Sequence, residues 1–282
     1  MVARADELIR RIRPVTTAEA HAWLERAAGD ALASAFAEAA RRLGREPLRA
    51  ETGEALEGPL DPVPLAAFSA DVAGRAALLM RLGEARPEAL NDAVETLYRE
   101  GDSSEKIAVV RALSLLPDQA RFVWIALDAG RTNETDLFRA VACDNPFPAR
   151  HYPELEFNKL VMKAAFVRAP VDRIVGLLRR ANPELARMAM EHIDEQESAQ
   201  RGFVPELWPA IAAHPPPGAI GRMLGYASHS VSAQRLGAVR GLAVAAQPRT
   251  RSFLAERLEL ERDESVREAL LEALRKIDGS KS

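Results

Sequence analysis

Residues 144–168 read DNPFPARHYPELEFNKLVMKAAFVR, and the fold of the chain can be worked out from this stretch. Three prolines, Pro146, Pro148 and Pro153, lie within eight residues of it. A proline fixes its own φ, lacks an amide hydrogen and disfavours a helical residue before it, so the sequence predicts a stiff, extended loop. Pro153 is well suited to be the first residue of a helix, where a missing amide hydrogen costs nothing.

The helix after this loop is predicted from its apolar spacing at 100° per residue. One apolar face contains Phe157, Leu160, Val161, Ala164 and Val167, and a second contains Leu155, Met162 and Phe166. Only Glu156, Lys159 and Lys163 form a charged stripe. A helix that is apolar on nearly every side is typical of a protein interior. Glu154 and Asn158 lie between the two apolar faces, so we predict that both are buried and need hydrogen-bond partners.

On both sides of this stretch, the apolar spacing predicts one helix after another. Before it, helices are predicted at residues 72–83, 87–99, 104–116, 119–129 and 134–142. After it, they are predicted at 171–180, 183–198, 205–213, 219–228, 231–245, 249–261 and 265–277. Helix pairs recur every 30 to 40 residues or so, the period of helical solenoids. The predicted fold is therefore all-α, a HEAT-like helical-pair solenoid (an α-α superhelix).

The N-terminal region, residues 1–65, is predicted to hold helices followed by a proline-rich loop. An amphipathic first helix precedes a helix at 18–26, and Asp30 opens another that ends at Leu43. Residues 45–64 contain four prolines and two glycines without periodicity, which indicates a loop. No segment alternates long enough to predict a strand. Residues 66–282 form the helical array, and we expect it to be continuous with residues 1–65 as one domain.

Composition and charge limit the possible partners. The chain has 38 basic and 41 acidic side chains, so it has no net positive charge that would favour nucleic acid. No apolar run reaches the length of roughly 18 residues that a transmembrane helix needs. The single cysteine, Cys143, cannot form an intramolecular disulfide and fits a reducing compartment. These observations predict a cytoplasmic protein that binds neither nucleic acid nor a bilayer core.

The sequence lacks the usual catalytic motifs, including phosphate-binding glycine loops, zinc-protease motifs and paired cysteines. We therefore predict no cofactor and no metal, and favour a non-catalytic protein over an enzyme. His151 and Glu154 could ligate a metal, but no second half-site accompanies them. Cys143 and His151 could form a thiolate–imidazole pair, although a small buried thiol that ends helix 134–142 is the simpler interpretation.

Arg111 lies on a predicted helix that is apolar around most of its circumference. An unpaired guanidinium would be costly to bury, so one hypothesis pairs Arg111 with Glu154 or Asp144. In the alternative, the side chain extends along its aliphatic stem to the surface.

The candidate site is a polar cluster that combines a stiff loop with a helix start, where free amide groups favour anions. Its members are Arg111, Asp144, Asn145, Arg150, His151, Glu154, Asn158 and Lys163. The cluster either binds a ligand or is structural, with its polar groups satisfying one another. No catalytic residue is assigned.

Residues 145–164, NPFPARHYPELEFNKLVMKA, resemble the signature segment of the EboA family. The family pattern is also similar to KIAVVRALSLLPD at 106–118 and to NPELARMA at 182–189. The resemblance extends from about Ser104 to Arg201 and brings no catalytic residues with it. It implies a bacterial gene cluster with a UbiA-type prenyltransferase, a TatD-like hydrolase, a sugar-phosphate cyclase and a xylose-isomerase-like protein. That setting implies a role in making or exporting a prenylated cyclitol-like secondary metabolite.

Two functions from different classes follow. The first is a non-catalytic helical scaffold that binds a protein partner from the same gene cluster. The second is a small-molecule enzyme or binding protein with a polar pocket formed by His151, Glu154, Asn158 and Arg111. Phosphate or a polyol would be its ligand, because the pocket would combine arginine with a helix N-terminus.

Overall fold

The computed structural model describes residues 5–27, 32–51 and 53–279, and it confirms the all-α class. In these ranges the chain forms 17 α-helices, several short 3-10 turns and a single two-stranded sheet. The HEAT-like solenoid arrangement of the helix pairs stays a prediction. The helix start predicted at Asp30 lies outside the described residues.

The helices follow the predicted order closely. The first nine are α1 Ala5–Ile12, α2 Ala18–Arg26, α3 Leu32–Leu43, α4 Ala70–Ala85, α5 Pro87–Glu100, α6 Ser103–Ala112, α7 Val123–Arg131, α8 Thr135–Ala142 and α9 Phe147–His151. The others are α10 Glu154–Phe166, α11 Leu177–Arg180, α12 Pro183–Ser198, α13 Trp208–Ala213, α14 Ala219–Tyr226, α15 Ser232–Ala245, α16 Arg251–Leu260 and α17 Glu264–Gly279. Several predicted helices begin or end as 3-10 turns, a common form of helix terminus.

A β-hairpin occupies part of the segment that was predicted to be a loop. Strand β1, Ala55–Glu57, pairs antiparallel with strand β2, Pro62–Pro64, and Leu56 lies opposite Val63. Leu56 and Val63 are both buried. The two prolines stand at the ends of β2, where a missing amide hydrogen is tolerated. The loop prediction for this segment was therefore wrong, because three-residue strands are too short to show an alternating pattern.

The proline-rich stretch is not the extended loop that we predicted, because it contains the short helix α9. Pro146 precedes this helix with helical dihedrals (φ −74°, ψ −14°), and Pro148 lies in its first turn. Prolines fit there because first-turn amide hydrogens have no partner inside the helix. Tyr152 is extended before Pro153, as the steric argument requires. Pro153 accepts the amide of Phe157 at 3.0 Å and so leads directly into α10.

Only one of the two apolar faces predicted for α10 is buried. Phe157, Leu160, Val161 and Ala164 are at most 3% exposed, whereas Val167 on the same predicted face is 38% exposed. Leu155 and Phe166, from the second face, are 52% and 78% exposed. The prediction of an interior helix was therefore wrong. Asn158 is buried as predicted, but Glu154 is exposed, which contradicts the prediction for that residue.

The described residues form two compact units. Unit 1 holds the residues up to Phe157 together with Arg173–Val175. Unit 2 holds Asn158–Asp172 and the residues from Gly176 onward.

Unit 1 is built around α4, which packs against α1, α3, α5 and α6. This helix buries an ion pair, because Arg75 and Asp71 are only 1% and 2% exposed. Arg75 donates from Nη1 to Asp71 Oδ2 at 3.0 Å and from Nε to the Phe36 carbonyl at 2.8 Å. Ser69 donates to Asp71 Oδ1 at 2.6 Å, and Ser104 accepts from Arg75 at 2.9 Å. These partners satisfy a buried charge pair that the sequence analysis did not single out.

Unit 2 is centred on α15, which packs against α13, α14 and α17. Two glycines of α15 permit close approach. A Cβ atom on Gly237 would lie 2.4 Å from the carbonyl oxygen of Pro205, and one on Gly241 would lie 3.0 Å from Cβ of Trp208. Trp208 itself is completely buried. The small residues of α15 therefore let it sit directly on the backbone of the neighbouring elements.

Replacing Asp71 by Asn should destabilise the protein by about 3 kcal/mol, because Arg75 would stay buried without its counter-charge. The matched control is Glu272→Gln, since Glu272 forms an exposed i,i+4 ion pair with Lys276. Exposed pairs of this kind contribute less than ~1 kcal/mol. Urea unfolding followed by circular dichroism measures both changes. Equal effects of the two substitutions would show that the buried pair has no special structural role.

Candidate functional site

Asn145 joins three helix ends in unit 1 and is 3% exposed. Its Oδ1 accepts from the Ser114 hydroxyl and from the Phe147 amide, both at 3.0 Å. Its Nδ2 donates to the carbonyl oxygens of Ala140 at 3.0 Å and Val110 at 3.3 Å. An asparagine amide has two N–H donors and two acceptor positions. All four are used, so Asn145 ties the C-terminal parts of α6 and α8 to the start of α9.

His151 is linked to Asn145 through two buried residues, Gln119 and Ser114. Gln119 donates from Nε2 to the carbonyl oxygen of Ser114 at 2.8 Å, and its Oε1 lies 2.9 Å from His151 Nε2. The imidazole ring also packs against Phe147, with ring centroids 4.5 Å apart. Burial, followed by the charge of Arg150, lowers the pKa of His151, which keeps the imidazole neutral at pH 7. A neutral ring that donates from Nε2 to the amide oxygen fits this geometry.

Cys143 and Asp144 end α8. Cys143 is buried, and burial raises the pKa of its thiol to about 11. This agrees with a structural thiol and opposes the thiolate–imidazole alternative. Asp144 has a left-handed backbone (φ 50°), its amide donates to the Arg173 carbonyl at 2.8 Å, and its carboxylate accepts from Arg173 Nε at 3.1 Å.

Arg111 forms neither of the ion pairs that we hypothesised with Asp144 and Glu154. It donates from Nη1 to the carbonyl oxygen of Cys143 at 2.6 Å. The carboxylate of Asp144 binds Arg173 instead, and Glu154 makes no ion pair with any residue that the structure describes. Burial lowers the pKa of Arg111 to about 10, with the nearby Asp144 acting in the opposite direction. Arg111 is therefore a cation at neutral pH that is only partly exposed.

The remaining predicted site residues differ in their surroundings. Asn158 and Asn182, both in unit 2, exchange amide hydrogen bonds of 3.1 and 2.9 Å, and Asn182 Oδ1 also caps α12 through the Leu185 amide. Glu154 and Arg150 are exposed. Lys163 is partly exposed, and burial lowers its pKa.

The structure therefore connects Asn145 with His151 and places Asp144 near Arg111. Asn158 lies apart from them in its pair with Asn182, and Glu154 is exposed without an ion pair to a described residue.

The connection between Asn145 and His151 depends on Ser114 and Gln119, which the sequence analysis missed. One signal for Ser114 was available, because it is a lone polar residue between Leu113 and Leu115. A polar residue in such a position is buried and must find a partner.

Arg111 also lines an open cleft of about 380 Å³ in unit 1, which we call the arginine cleft. Its polar lining consists of Arg45, Ser69, Asp71, Ser104, Arg111, Asp136 and Arg139. Its apolar lining includes Pro47, Ala66, Ala67, Phe68, Val72, Ile107 and Ala140. Nothing in the sequence pattern brings Arg45 and Arg139 together, so the cleft was not predicted.

Across the described residues, no three His, Cys, Asp or Glu side chains come together in a way that could hold a metal ion. In the same residues, no helix combines the length and apolar character needed to cross a bilayer.

Comparisons with known proteins give one family. No curated protein and no solved structure matches the chain. A family model described as metabolite traffic protein EboA matches residues 8–212. The match confirms the resemblance found around residues 145–164 and extends it to α1 and to α13. Because it includes well over half of the 282 residues, the chain belongs to the EboA family.

Proposed function

We propose that this chain is a non-catalytic helical scaffold that binds a partner protein encoded in the same gene cluster. In this proposal the cluster makes or exports a prenylated cyclitol-like secondary metabolite, and the chain works inside the cell. Membership of a family described as metabolite traffic protein supports a role in making or exporting such a metabolite.

The observation that best supports a non-catalytic role is that Asn145 makes all its hydrogen bonds within the protein. Reacting groups in an active site must be open to a substrate. Asn145, the first residue of the family signature, has all four hydrogen-bonding positions occupied by Ser114, Phe147, Ala140 and Val110. Asn158, in the same signature, is 1% exposed and paired with Asn182. Both amides support the structural interpretation of the signature segment.

The observation that favours a protein partner is the exposure of Phe166 near the end of α10. This side chain is 78% exposed and lies inside the family-matched region. Its neighbour Val167 is 38% exposed. Aromatic side chains are enriched at protein interfaces, where one side chain can bury about 150 Å² of surface. We therefore place Phe166 in the proposed partner interface.

Asn145→Ala should lower the free energy of unfolding by about 3 kcal/mol, because four buried groups would lose their partner. Glu154→Gln, in the same signature segment, should change it by less than ~0.5 kcal/mol, because Glu154 is exposed. Chemical unfolding compares the two variants. If Glu154→Gln keeps the protein stable yet abolishes metabolite output in a host with the whole cluster, the signature segment acts as a site rather than as a structural junction.

Phe166→Ser should weaken capture of the partner at least about tenfold, as expected when an exposed aromatic anchor is lost from an interface. The measurement is co-purification from a host that expresses the whole cluster, with the captured cluster proteins quantified by mass spectrometry. Leu260→Ser is the matched control, because Leu260 is 69% exposed but lies outside the family-matched region.

Partner capture unchanged by Phe166→Ser would remove Phe166 from the interface. Failure of the unmodified protein to retain any protein of the cluster would contradict the scaffold itself.

A second candidate function is binding of a small polar molecule, and one observation favours it. Among the four residues of the polar pocket proposed from the sequence, Arg111 lines the arginine cleft. Its Nε and Nη2 make no hydrogen bond with a described residue, and neither atom is buried. Native mass spectrometry of protein purified from the same host tests this function, since a bound small molecule would appear as a discrete added mass.

A further inference from the structure

We propose that the arginine cleft binds a small molecule by its phosphate group, which Arg45, Arg111 and Arg139 hold together. This inference rests on the second candidate function, small-molecule binding, and does not depend on the protein partner.

The cleft is framed by faces of α6 and α8, by two connecting segments and by the first turn of α4. Ser104, Ile107 and Arg111 are spaced three and four residues apart on α6, so they share one face of that helix. Asp136, Arg139 and Ala140 show the same kind of spacing on α8. The loop after α3 supplies Arg45 and Pro47, and the turn before α4 supplies Ala66 to Ser69. The arginines thus reach the cleft from three different elements.

Arg111 is held in place for this role. Its bond of 2.6 Å to the Cys143 carbonyl uses Nη1 and fixes the guanidinium. Nε and Nη2 remain open to a ligand. A guanidinium that the protein already orients loses little further freedom on binding, which favours affinity. The same group is largely removed from water, so a bound anion would compensate its charge.

Arg45 and Arg139 carry charges that the protein does not balance. Both are exposed, and neither forms an ion pair with any residue in the described ranges. Electrostatic attraction between such cations and an anion is strengthened by the low-dielectric walls of a cleft. The two side chains are long enough to move toward a ligand that Arg111 has already bound.

The carboxylates of the cleft do not cancel these charges. Asp71 accepts from Ser69 and from Arg75, and Arg75 lies buried beneath the cleft lining. The negative charge of Asp71 is therefore already neutralised by Arg75. Asp136 is the other lining carboxylate, and it is exposed to solvent. Three lining arginines thus face one carboxylate that has no cation bound to it within the described residues.

The number of arginines and the apolar walls define the ligand. A carboxylate has two oxygens and is satisfied by one bidentate guanidinium, whereas a phosphate monoester offers three terminal oxygens to several guanidinium groups. Pro47 and Ala66 are exposed and Ile107 is partly exposed, so all three provide accessible apolar surface beside the arginines. A volume of about 380 Å³ lies in the range of small-molecule sites. The ligand is therefore a phosphate monoester with a body small enough to lie against these walls.

Isothermal titration calorimetry with glycerol 3-phosphate tests the proposal, with inorganic phosphate as a second probe and glycerol as the neutral comparison. The two phosphate probes should bind saturably to the whole protein at low ionic strength, and glycerol should not. The double substitution Arg45→Gln and Arg139→Gln should weaken phosphate binding at least about tenfold, because two charge-assisted contacts are lost. Arg121→Gln is the matched control, since Arg121 is exposed and does not line the cleft.

Arg111→Lys provides a second variant that keeps the charge but loses the planar fork. It should weaken binding severalfold, measured on protein that circular dichroism shows to be folded. The proposal would be overturned if the double variant bound phosphate as tightly as the unmodified protein does. It would also be overturned if the unmodified protein bound neither phosphate probe and did not bind vesicles that contain phosphatidic acid.

Vesicles separate two sources of the phosphate group. Binding to vesicles with phosphatidic acid, but not to phosphatidylcholine alone, would assign the phosphate to a lipid if the double variant abolishes it. Native mass spectrometry distinguishes failure of the phosphate inference from failure of the second candidate function, small-molecule binding. A small molecule without phosphate that co-purifies, together with no phosphate binding, overturns the inference and leaves small-molecule binding standing. Absence of both co-purified ligand and phosphate binding overturns the two together.

Discussion

A buried amide must have partners for all of its hydrogen-bonding positions, and unit 1 is arranged so that Asn145 has them. The asparagine stands where α6, α8 and α9 meet, and it takes one partner from each helix region and one from Ser114. Leaving any of these groups unpaired in the core costs more than the bond itself contributes. The ends of α6 and α8 therefore cannot shift independently, and Gln119 and His151 extend the same constraint to the surface.

This constraint explains what the sequence could and could not predict. Helix spacing predicted the all-α class and nearly every helix, because apolar periodicity is a local property of the chain. It also predicted the burial of Asn158, since a polar residue between apolar faces has nowhere else to go. Partner choice is not local. Asn182 lies 24 residues from Asn158, and Asn145 lies 31 residues from Ser114, so only the packed structure identifies these pairs.

The errors have a shared physical origin. Glu154 was predicted to be buried because Leu155 and Phe166 were assumed to face a core, yet both are exposed. Periodicity shows which residues share a face but does not show whether another element covers that face. The prolines before α10 were interpreted as extended for a related reason. Pro146 and Pro148 disfavour helix interiors, but a helix only five residues long consists almost entirely of termini.

The hairpin of β1 and β2 approaches the same junction from the N-terminal side. A methyl group at Gly58 would lie 2.8 Å from the carbonyl oxygen of Ser114, which is also the acceptor for Gln119. The hairpin backbone at Gly58 therefore packs directly against the Ser114 carbonyl group, which belongs to the hydrogen-bond network of Asn145. An alanine at position 58 would clash with the carbonyl oxygen of Asp61 in the hairpin, at 2.5 Å, and with that of Ser114. The hairpin and the family signature, which both lie inside the family-matched residues 8–212, are therefore coupled sterically through one carbonyl oxygen.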